Sequence, residues 1–111
     1  MANRIRQLAY GLPIALIEQV DYIPGQIASK TLVQTEATGM SLFAVPAGES
    51  TGPHESSGDA LVQILQGKAK ITVSNKPFEL EAGQSIVMPA GCPHTLYAIT
   101  SFKMLLTVIF E

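Results

Sequence analysis

Ala69, Ile71 and Val73 alternate with Lys68, Lys70, Thr72 and Ser74. A period of two puts the apolar set on one face and the polar set on the other, so the spacing predicts a half-buried strand over 68–74. On either side, short runs rich in Val, Ile, Leu, Thr and Phe are separated by Gly and Pro, the punctuation of strands joined by turns. These runs predict strands over 27–34, 40–45, 60–65, 78–80, 84–88, 95–100 and 102–110. Pro77 limits the run after it to a sheet edge or a strand start. Turns are expected at Thr38-Gly39 and Asn75-Lys76, a polar loop over 49–59, and a tight loop over 89–93. Residues 102–110 are nearly all apolar, as in a strand covered on both faces. A helical period is weak everywhere. The best segment, 13–19, carries the β-branched Ile14 and Ile17. Short strands without crossover helices predict an all-β antiparallel sandwich or barrel.

Length and composition narrow this further. A chain of 111 residues is one domain, here with its core expected over 26–110. Residues 1–25 are expected to wrap the barrel or contact a partner. Hydrophobic residues make up 47% and charged residues 14%, which excludes a disordered chain. A net charge of −2 without a basic block argues against nucleic-acid binding. The apolar runs are too short to span a bilayer, and no secretory leader is read at the start. The one cysteine, Cys92, fits a reducing compartment, so the cytoplasm is the expected location. So few charges on a small domain point to a homodimer, with residues 102–110 or 14–34 as its interface.

Only two histidines are present. His54 follows a loop holding Gly48, Gly52 and Pro53, and His94 follows Pro89, Gly91 and Pro93. Pro fixes φ and Gly permits turns other residues cannot make, so such loops aim the side chain behind them. These two segments resemble the two motifs of the cupin family, in its small, single-domain, RmlC-like form. Gly48, His54 and Gly67 keep the spacing of the first motif. Gly83, Pro89, Gly91 and His94 keep that of the second. The resemblance spans residues 40–105. It implies a double-stranded β-helix, or jelly-roll barrel, and often a homodimer.

The resemblance also implies a divalent metal (Zn, Fe, Mn or Ni) held by three histidines and a glutamate. Here His54 and His94 stand in two ligand positions, while Ser56 and Ala60 occupy the other two and Ala98 replaces the second motif's Asn. A transition metal usually takes three or four protein donors, so two imidazoles should hold one weakly. Glu49, Glu55, Asp59 and Cys92 are the candidates for a non-standard third ligand. Cys92 reads otherwise as a small buried residue, and no Ser-His-Asp set is visible. Strand parity from the motif positions predicts a lining of Ser56, Ala60, Val62, Ile64, Leu96 and Ala98, with Met40 at the mouth. An apolar hollow with two imidazoles suits a small-molecule ligand. The first functional expectation is a ligand-binding cupin with metal absent or weakly held. The alternative is a metal-dependent cupin enzyme of dioxygenase or isomerase type. A third is a closed, structural barrel.

Overall fold

The computed structural model describes residues 4–111. Residues 1–3, part of the segment expected to wrap the barrel, lie outside the described residues. Among the described residues, nine strands follow one 3-10 turn, Leu16–Glu18: β1 Ala28–Gln34, β2 Thr38–Val45, β3 Ser50–His54, β4 Asp59–Gln66, β5 Lys68–Val73, β6 Lys76–Glu81, β7 Ser85–Met88, β8 His94–Ala98 and β9 Phe102–Ile109. They form two antiparallel sheets, ordered β1-β2-β9-β4-β7 and β3-β8-β5-β6. The all-β antiparallel expectation holds.

The alternation in β5 does what its period requires. Ala69 and Ile71 are fully buried and Lys70 is exposed. Facing residues from both sheets fill the barrel: Val62 and Ile64 from β4, Leu96 and Ala98 from β8, Phe102 and Met104 from β9. Burying each large side chain contributes about 1.5–3 kcal/mol, the main stabilising term here.

A second apolar cluster lies on the outer face of the five-stranded sheet. Leu32, Leu42 and Ala44 are buried there beneath Val20, with Leu8, Leu16, Tyr22 and Leu105 packed around them. The N-terminal segment thus covers this face. The Lys103 ammonium donates to the Ile17 carbonyl and lies 5.0 Å from the centre of the Tyr22 ring. Lys30 donates to the Gln19 carbonyl at 3.0 Å. The Arg6 amide donates to the Leu32 carbonyl of the edge strand β1 at 2.7 Å. This explains the near-continuous apolar run of β9. Phe102 and Met104 face the barrel, and Leu105 faces the covered outer side.

Three local expectations change. The polar stretch read as a loop contains β3, which pairs with β8 through Ser50↔Tyr97, Thr51↔Leu96 and His54↔His94. It is an edge strand, so it needs no apolar alternation, and Pro53 sits at an irregularity where no ladder donor is required. The hairpin turn is Ser74-Asn75, one residue earlier than expected, with φ of 48° and 71° and Val73 paired to Lys76. Positive φ at both central residues gives the twist of a two-residue hairpin. Gly39 belongs to β2 rather than to a turn. The chain reverses just before it, where the Thr35 hydroxyl accepts from the amides of Ala37 and Thr38.

Candidate functional site

His54 ends β3 and His94 begins β8, and the two are direct partners across the ladder. Their ring centres lie 6.3 Å apart, with planes tilted by 41°. His54 is exposed and His94 half-buried. The Nδ1 atom of His94 is buried without a hydrogen-bond partner. Leaving such an atom unsatisfied costs about 1–3 kcal/mol.

The loop that aims His94 is held from several directions. Asp59 Oδ1 accepts from the Ala90 amide at 2.9 Å. The Ser56 carbonyl accepts from the Gly91 amide at 2.8 Å, and the Pro93 carbonyl accepts from the Ser74 amide at 3.0 Å. The segment after His54 and the loop before His94 are therefore tied to each other. This is why two histidines forty positions apart in sequence arrive at one place.

Both rings open onto a cavity of about 200 Å³ inside the barrel. Its walls are Phe43 and Val45 from β2, Val62 from β4, Leu96 from β8 and Leu106 from β9, with Met88 and Met104. Thr51 from β3 also borders it. The site is an apolar chamber whose only polar lining residues are Thr51, His54 and His94.

Of the residues expected from sequence, the structure gathers His54, His94, Val62 and Leu96 at this chamber. Ala60, Ile64 and Ala98 face the same interior but are buried in the packed core and do not border the cavity. Two further expectations need correction. Met40 is not at the mouth: with Leu42 and Ala44 it packs on the outer face of the sheet, because Phe43 and Val45 hold the inward parity of β2. Ser56 does not line the cavity, since its hydroxyl accepts from the Gly58 amide at 3.1 Å and closes a turn. Sequence reading missed Phe43, Val45, Thr51, Met88, Met104 and Leu106. Parity along β2 and β9 carried most of that signal; Thr51 was hidden in a stretch read as loop.

The donor set does not suit a firmly held divalent ion. Among the described residues, no three of His, Cys, Asp and Glu come close enough to hold one. Asp59, the best-placed third donor, is engaged with the Ala90 amide, and Ala60 has no donor where the motif has a carboxylate.

Comparison with known proteins agrees with the geometry. The family model described as Cupin domain matches residues 41–110. A conserved protein of unknown function from Streptococcus pyogenes is 39% identical, with a TM-score of 0.96 over 99% of this chain and 96% of that one. A cupin superfamily protein from Desulfitobacterium hafniense is 30% identical, with a TM-score of 0.93 over 98% of this chain and all of the other (100%). Over 58 residues, 52% of this chain, the sequence is 34% identical to a gentisate 1,2-dioxygenase from a Streptomyces species. The chain spans only 16% of that enzyme.

Proposed function

This chain belongs to the cupin family, and from that premise we propose that its barrel binds a small, mostly apolar molecule whose polar head lies between His54 and His94. Any divalent ion at this place is held weakly. The carrying observation is the chamber itself, lined by apolar side chains apart from Thr51, His54 and His94. An engineered apolar cavity of about 150 Å³ takes up benzene. The somewhat larger space here suits one substituted ring or a short branched chain.

The 6.3 Å between ring centres leaves room for a polar atom of a ligand between the two imidazoles.

The metal-dependent enzyme reading draws on the gentisate dioxygenase similarity, which covers 58 residues, 52% of this chain and 16% of that far longer protein. That similarity favours an oxygenated ring compound as the kind of ligand.

The test is to purify the protein from medium supplemented with Zn, Fe, Mn and Ni, measure metal per chain, and record native mass spectra. The expected result is metal well below one per chain, with a small organic molecule bound to the wild type and lost from His94→Ala. Stoichiometric divalent metal lost in His94→Ala would instead establish the metal-dependent reading.

A further inference from the structure

We propose that a groove on the outer face of the five-stranded sheet, bordered by Arg4 and Arg6, binds a phosphate group, free or carried by a small phosphorylated molecule. The groove is separate from the chamber and does not depend on what the chamber holds. Thr38, which borders the groove, shares the outward parity of β2 with Met40, Leu42 and Ala44, whereas the chamber takes Phe43 and Val45 of that strand.

Arg4 and Arg6 are the chain's two arginines, and both border this one groove of about 330 Å³. Val33 and Gln34 of β1, Thr35 of the following turn and Thr38 of β2 complete its lining. Among the described residues no carboxylate borders it. Glu36, in the same turn, is exposed and lies outside the lining. Two permanent positive charges in a groove without an acid attract an anion. The whole chain carries a net charge of −2, so this positive spot is local rather than part of a basic surface.

The segment that carries the arginines is fixed in place. The register of β1 against β2 shifts between Thr31 and Val33, passing over Leu32, whose carbonyl accepts from the Arg6 amide. Such an irregularity redirects a strand locally. The Gln7 side-chain amide donates to the Thr31 carbonyl at 2.7 Å, and Gln7 itself has a φ of 62°. A residue with a side chain adopts that left-handed backbone only where its surroundings impose it. The Tyr10 hydroxyl donates to the Ile5 carbonyl and accepts from the Ile5 amide, both at 3.0 Å. Arg4 and Arg6 thus flank a residue held by both of its backbone polar groups, which lowers the ordering cost of binding. The number of arginines selects the anion. A guanidinium donates in a planar fork to two oxygens of one partner, so a single arginine satisfies a carboxylate. A phosphate group offers at least three acceptor oxygens and close to two negative charges, and so makes use of two.

The experiment is an NMR titration of the whole chain, following the Nε–H signals of Arg4 and Arg6. The probes are inorganic phosphate, glycerol 3-phosphate and, as a control, acetate, all at one ionic strength because salt screens exposed charges. Both arginine signals are expected to move together with a phosphate probe and to saturate at one per chain, while the ring signals of His54 and His94 stay in place. Arg4→Gln and Arg6→Gln, each leaving the backbone bonds of the segment intact, should weaken binding about tenfold or more. Tighter binding of glycerol 3-phosphate than of inorganic phosphate assigns the site to a phosphorylated molecule; the reverse order assigns it to the free ion. Arginine signals that drift without saturating, or that acetate moves equally well, overturn the proposal. So does a phosphate response at His54 and His94 with both arginines unmoved. The wild-type titration decides even if a variant misfolds.

Discussion

Tyr22 reaches from the N-terminal segment to the body of the barrel, where its hydroxyl donates to Gln66 Oε1 at 2.9 Å. Burial raises its pKa above the ordinary 10.0, because the phenolate loses solvation. The unfolded chain therefore gives up this proton at lower pH than the folded one. Stability from this residue is complete below pH 10 and falls as pH rises through the folded value. Denaturant unfolding between pH 9 and about 11.5 should show a steeper loss for wild type than for Tyr22→Phe. Parallel profiles would mean the phenol is not held in a desolvated place. Single residues were unevenly legible in the sequence. His54 and His94 were fixed by motif spacing, and both reach the chamber. Met40 and Met104 look alike as letters, yet one faces outward and the other inward, and only the pairing of their strands settles which. Asp59 carried a ligand's chemistry in the sequence. In three dimensions an amide 31 residues away engages it, and no local pattern encodes that.

At the scale of elements, glycines mark where strands meet. Gly67 separates β4 from β5 with φ of +82°, and an added Cβ would collide with the Ser101 carbonyl and lie 2.9 Å from the Phe102 Cα. Both are backbone atoms that cannot move aside. Gly83, in the turn before β7, has φ of +93° but nothing within 4 Å. Gly67→Ala should therefore cost more than about 3 kcal/mol and yield little folded protein, while Gly83→Ala should cost about 1–2 kcal/mol from backbone strain alone. Thermal unfolding of the two variants checks the contrast, and equal losses would contradict it. Apolar strands were readable because burial imposes their period, as in β5. The edge strand β3 was not, since its partner lies on one side only and its residues are mostly exposed. The turn at Ser74-Asn75 was legible to within one residue, because Asn tolerates positive φ.

At the scale of the whole molecule, two apolar clusters divide the labour. One fills the barrel around the chamber; the other fastens the N-terminal segment to the outside. Low charge and fold class were legible from composition and alternation. The second cluster was not, because covering a sheet with an irregular segment leaves no periodic trace. β9 is flanked on both sides by β2 and β4, so it offers no free edge to a partner. The N-terminal segment instead exposes Tyr10 at 53% and Leu12 at 67%. We expect a homodimer through this segment. Sedimentation at micromolar concentration should give a dimer that Leu12→Glu dissociates, and a wild-type monomer would refute it. No helix among the described residues is long and apolar enough to cross a membrane. The central claim, that one apolar chamber presents two imidazoles to a single ligand, is tested most directly by NMR of the histidine rings during titration with 4-methylphenol. The account predicts that the signals of His54 and His94 move together and saturate at one ligand per chain. Rings that stay unmoved in the folded protein, or that respond independently, would contradict it.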